Sequence, residues 1–131
     1  YQSNAEAGCV LHTHSTHLVA LTLAGVASAD AVLPPITPYQ VMKVGRVPLI
    51  PYARPGAPEV AAQVAALAAD VRGVLLERLG PVVWARDPRA AGDVLEELEE
   101  TARLWLMQPQ RPAPLTAAQV NELETAFGVR W

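Results

Sequence analysis

The chain has 131 residues, a net charge of −3 and 51% hydrophobic residues, enough apolar matter for one domain with a core and too little length for two. No basic cluster offers a footprint for nucleic acid or an anionic membrane. The most apolar stretch, Leu18 to Ala27, is broken by Thr22 and Gly25 and falls short of the ~20 residues a membrane span needs. Cys9 is the single cysteine, so no disulfide can form within the chain and a cytoplasmic setting is expected. Nothing at Tyr1 and beyond resembles a signal peptide.

Cys9-Val10-Leu11 reads as a buried strand, and His12-Thr13-His14 follows at its carboxyl end. Alternate side chains of a strand share a face, so His12 and His14 can turn two imidazoles toward one point. Neutral imidazole nitrogen suits Zn²⁺ and its transition-series neighbours, and strand carboxyl ends are where α/β sheets place ligands. Strand-end histidines bonded to backbone or water are the competing assignment. Cys9 has the opposite parity and is expected to be a buried, inert thiol.

Ser15-Thr16 can cap a helix from about His17 that carries Leu18, Leu21 and Val26 inward. Asp30 to Pro38 breaks regular structure through Pro34, Pro35 and Pro38, and Val41 to Tyr52 reads as extended. A helix is expected from Pro58 to about Asp70, then a strand from Gly73 to Leu79, a turn at Gly80-Pro81 and a short strand Val82-Val83-Trp84. The longest helix runs from Asp87 or Pro88 to Leu106, with Val94, Leu95, Leu98, Ala102 and Trp105 as its apolar face. Its acidic run, Glu96, Glu97, Glu99 and Glu100, reads as a solvated face or a subunit contact. A Pro/Gln-rich linker, Pro109 to Pro114, leads to a final helix over about Thr116 to Phe127, with Thr116 as N-cap.

Several segments appear in a familiar order after the histidines: Leu33-Pro34-Pro35-Ile36-Thr37-Pro38-Tyr39, then Val44-Gly45-Arg46-Val47-Pro48-Leu49-Ile50-Pro51-Tyr52, then Leu75-Leu76-Glu77-Arg78-Leu79-Gly80-Pro81-Val82-Val83. Together with the histidine motif they resemble the class II aldolase/adducin family, over nearly the whole chain from about Ala7, and within it the 3-oxo-tetronate 4-phosphate decarboxylase branch. The resemblance implies an α/β domain with three layers, α/β/α, spanning residues 1–131. It also implies that this is the later part of the domain, because relatives carry earlier strands, phosphate-binding loops and an acidic residue before this point. A homo-oligomer, a tetramer by resemblance, is expected, with the proline-rich loop and Pro48-Leu49-Ile50-Pro51-Tyr52 as apolar surface.

In that family a divalent metal, usually zinc, is held by two histidines at the positions of His12 and His14, by a third histidine later in the chain, and sometimes by the earlier acid. His17 is not the family's ligand and is expected to support the loop, although its spacing from His14 permits a metal contact. Leu79 stands where the third histidine belongs. Three outcomes remain open: Glu77 substitutes, the acid outside this chain completes the site, or metal-dependent activity is lost. Tyr39 matches a tyrosine that reaches a neighbouring subunit's site as proton donor; the alternative is a loop tyrosine packed on a partner helix.

The resemblance thus implies a metal-dependent lyase that decarboxylates a phosphorylated sugar acid. A sugar-phosphate aldolase of the fuculose-phosphate type and a non-catalytic adducin-like interaction domain are the alternatives.

Overall fold

The computed structural model describes residues 1–131. Four strands form one sheet in the order β1-β4-β3-β2: β1 (Cys9–His12), β2 (Leu49–Ile50), β3 (Gly73–Leu76) and β4 (Gly80–Ala85). β4 pairs antiparallel with β1, from Cys9 opposite Ala85 to His12 opposite Val82, and antiparallel with β3, from Gly73 opposite Val83 to Leu76 opposite Gly80. β2 runs parallel to β3. The carboxyl ends of β1, β2 and β3 therefore lie at one end of the sheet, beside the β3–β4 turn.

The period-2 alternation of strands divides the core into the expected three layers. Leu75 and Val83 face α1 (Thr16–Ala24) and α3 (Pro88–Met107), and join Leu18, Leu21, Val94, Leu98, Ala102 and Trp105 in the larger core. Their neighbours Val74 and Trp84 point the other way, where Ile50, Ala68 and Val71 are buried under α2 (Pro58–Leu67). Val94, Leu98, Ala102 and Trp105 recur at steps of three and four, which keeps one stripe of α3 against the sheet. Asp87 caps α3 by accepting the Ala90 N–H at 2.8 Å. α4 (Ala117–Phe127) starts on the capping box of Thr116 and Gln119 and ends on Gly128 at φ 64°.

Five boundaries differ from expectation. Within this chain β1 pairs only with β4, which leaves Val10 40% exposed and Cys9 half-buried. The segment expected to be extended from Val41 instead begins with a wide helical turn, Gln40–Val44. Burial of Val41 and Val44, three residues apart, outweighs their strand propensity there. α2 stops at Leu67 and gives way to a tight turn through Asp70. Val26 lies beyond the end of α1, though it still packs on the core. Finally, β3 ends at Leu76 and the chain reverses over Glu77-Arg78-Leu79, with Arg78 left-handed at φ 63°, so Gly80-Pro81 belongs to β4 rather than to the turn.

Candidate active site

Two backbones meet at the sheet end that carries the histidines. Gly80 opens β4 with φ 130°, and a Cβ there would fall 2.1 Å from the Thr13 carbonyl oxygen and 3.3 Å from the His14 Cα. Only glycine permits that approach. The β3–β4 turn is thereby pressed against His12-Thr13-His14. The turn is also tied to α1, because the Arg78 N–H donates to Thr22 Oγ1 at 3.1 Å.

The two imidazoles share a face, as strand alternation requires. Their ring centroids lie 5.3 Å apart with planes at 72°, and both side chains are exposed. His12 Nδ1 donates to the Pro81 carbonyl at 2.8 Å. A carbonyl can only accept, so this bond fixes the tautomer and leaves the Nε2 lone pair of His12 free, the arrangement typical of a metal-binding histidine. The ring of His14 makes no hydrogen bond of its own. Thr13 and Ser15, on the opposite parity, bond to each other through their hydroxyls at 2.6 Å.

The donor set stops at two. No three His, Cys, Asp or Glu side chains come together in a group able to hold a metal. Leu79 sits in the turn, one residue from Gly80 and therefore beside the histidine segment, but its side chain supplies no donor. Glu77 and Leu79 do share a surface, as two residues one apart can. Both line a cavity of about 310 Å³ with Ile50, Pro51, Arg54 and Leu76, and neither histidine lines it. The Glu77 carboxylate accepts the Tyr52 N–H at 2.8 Å, which commits one of its oxygens to the backbone after β2. The chemistry of the histidine pair fits two nitrogen ligands of a divalent metal; the third protein ligand that catalytic zinc sites typically have is not among the residues brought together here.

Tyr39 lies elsewhere. It precedes the wide turn Gln40–Val44, is 58% exposed, and has the Lys43 ammonium 5.4 Å from its ring centroid. Arg72, just before β3, donates to the Met42 and Lys43 carbonyls at 3.0 and 2.8 Å. That bond places the turn at the amino end of β3, opposite the histidines. Within one chain Tyr39 and the histidine pair are not brought together.

His17 also points away from the pair. Its Nδ1 donates to Glu99 Oε1 at 2.8 Å. The same carboxylate accepts the N–H groups of His17 and Leu18 at 2.9 and 3.1 Å. Glu99 is thus not part of a solvated face, unlike its neighbour Glu100, which pairs loosely with Arg103 at 3.6 Å. Nothing in the sequence distinguishes Glu99 from Glu96, Glu97 or Glu100, since its role depends on an element 81 residues away. The helical turn at Gln40 did leave a signal: Thr37-Pro38-Tyr39-Gln40 has the spacing of a capping box with proline at the first helical position. Thr37 Oγ1 accepts the Gln40 N–H, and Gln40 turns its side chain back to the Ile36 N–H.

Known proteins share this sequence and fold. Residues 1–106 match the class II aldolase and adducin N-terminal domain. A 3-oxo-tetronate 4-phosphate decarboxylase of Cupriavidus necator is 62% identical across the whole chain, which covers 63% of that protein. A protein of the same name from Pectobacterium atrosepticum is 43% identical over 94% of the chain and 57% of its own length. The crystal structure of YgbL from Escherichia coli superposes with a TM-score of 0.87 at 42% identity, over 94% of this chain and 60% of that one. An L-fuculose 1-phosphate aldolase matches in fold, with a TM-score of 0.79 at 23% identity, over 98% of this chain and 59% of that one. The chain spans about 60% of the length of the relatives it matches.

Proposed function

The chain belongs to the class II aldolase/adducin family, and we propose that the protein it represents decarboxylates 3-oxo-tetronate 4-phosphate, residues 1–131 being the later portion of its domain. The observation that carries this is the 62% identity over the whole chain with a relative of that name.

The reaction makes modest demands. The substrate's carboxylate lies β to a ketone, so breaking the C1–C2 bond releases CO₂ and leaves the electron pair delocalised over C2, C3 and the ketone oxygen. Protonation at C2 gives dihydroxyacetone phosphate. His12 and His14 would provide two nitrogen ligands for a divalent cation, zinc first among them, with His12 aimed by Pro81. When bound, such a cation supplies Lewis acidity toward the substrate's oxygens. Tyr39 would hold a proton at its phenolic oxygen for a neighbouring subunit's site, which its place at the far end of the sheet supports. The assembly would then be a homo-oligomer, a tetramer by family resemblance, in the cytoplasm. No helix of the chain is long and apolar enough to cross a membrane.

The test is direct. The complete protein, supplied with zinc or manganese, should release CO₂ from 3-oxo-tetronate 4-phosphate with stoichiometric dihydroxyacetone phosphate, and should cleave fuculose 1-phosphate far more slowly. The reverse preference would identify an aldolase. One observation favours a different class: Leu79 contributes no ligand at the turn beside the histidines. A non-catalytic interaction domain would bind no stoichiometric metal and turn over neither substrate.

A further inference from the structure

We propose that Glu99 is a positioning residue for His14, acting through the first turn of α1. The proposal rests on the reading of His12 and His14 as a ligand pair. The amino end of any helix leaves N–H groups without partners, and a Ser at the N-cap ordinarily accepts one of them. Ser15 occupies that position but makes no capping bond; its hydroxyl is turned to Thr13. The Glu99 carboxylate does the work instead, with Oε1 accepting from His17 N and His17 Nδ1 and Oε2 from Leu18 N. Three donors converge on one carboxylate that is only 21% exposed, at a helix end that favours negative charge.

The consequence falls on His14 more than on His12. His12 is held by its pairing with Val82 and by the Pro81 carbonyl. His14 lies past the end of β1, two residues before α1, and its ring has no hydrogen bond. Its backbone is held by Gly80 on one side and by the start of α1 on the other. Glu99 projects from a long helix anchored in the core by Leu98 and Ala102, so it fixes where α1 begins relative to the sheet and hence the direction in which His14 leaves its loop.

The experiment uses the complete protein and compares wild type with Glu99→Gln, Glu99→Asp and the control Glu100→Gln. Imidazole resonances of His12 and His14 are assigned by NMR, Co²⁺ affinity is measured by titration, and melting temperature is recorded. Glu99→Gln keeps the shape but replaces one acceptor oxygen with a donor. It should shift the His14 resonances, leave those of His12 in place, and weaken Co²⁺ binding by about tenfold, the lower range for groups that orient a ligand. Glu100→Gln should change none of these. Unchanged His14 resonances with a lowered melting temperature would reduce Glu99 to a helix cap and overturn the proposal. Should Glu99→Gln fail to fold, Glu99→Asp decides in its place, since it retains the charge but shortens the reach. A wild type that takes up no Co²⁺ would sink the ligand-pair reading alone, because the His14 resonances still report on positioning.

Discussion

The histidine segment and the β3–β4 turn lie against each other at one end of the sheet, and they are built to opposite standards. On the histidine side every tie serves direction. Pro81 orients the His12 ring, Gly80 presses on Thr13 and His14, and Glu99 fixes the helix that follows. On the turn side the backbone is equally constrained, through Gly80, the left-handed Arg78 and the Arg78 to Thr22 bond, yet the side chain it presents is an apolar leucine. The contrast separates the backbone frame from the side chains it presents. The frame depends on backbone contacts that few residues satisfy, whereas the side chain it presents can change without disturbing them.

The sharpest way to break the comparison is to remove the contact that joins the two sides. Gly80→Ala would drive a Cβ into the Thr13 carbonyl, and backbone on both sides cannot yield cheaply. We expect a loss of at least about 4 kcal/mol, among the largest values seen for single substitutions, measured by denaturant unfolding. A variant of wild-type stability would show that the two segments are not in contact.

Removing one imidazole of the proposed ligand pair should leave the frame intact. His12→Ala is expected to lower divalent-metal affinity by about 100-fold or more, beyond the range for groups that merely orient a ligand, with little change in stability because the side chain is exposed. Isothermal titration with Zn²⁺ and a thermal melt separate the two quantities. Placing an imidazole on the turn sharpens the comparison from the other side. Under the proposed function, Leu79→His should tighten metal binding by about tenfold or more and raise decarboxylation by the complete protein with it. A stably folded Leu79→His protein with unchanged affinity would mean that the side chain at position 79 does not reach the histidine pair.

Smaller effects follow at the edges. Glu77→Gln weakens the acceptor for the Tyr52 N–H and should cost about 0.5–1 kcal/mol, without altering metal affinity if Glu77 is not a ligand. A fall in metal affinity alongside stability would instead make Glu77 a metal donor. Least of all, Asp87 is held below the usual aspartate range, chiefly by the Ala90 N–H it caps and further by Arg86. A carboxyl lowered in the folded state contributes stability above its unfolded value, near about pH 4, and loses it as pH falls through the lowered folded value. Asp87→Asn should flatten that acid limb of a stability–pH profile and leave the neutral region's pH dependence untouched.

Much of this arrangement was legible in the chain itself. Period-2 spacing put His12 and His14 on one face, and steps of three and four gave α3 its buried stripe, because both follow from local geometry that each residue carries with it. The ordered motifs pointed to the family, and Thr116 marked the start of α4. Other features depended on segments meeting that are far apart in sequence. That Glu99 alone of four glutamates caps α1, and that Tyr39 stands at the far end of the sheet from the histidines, were decided by packing. The boundary of β3 belongs with them, since Leu79 leaves the strand where Arg78 reverses the chain and Gly80 closes on Thr13. A local rule records what a residue prefers; which preference prevails is settled by the partner that tertiary contact brings to it.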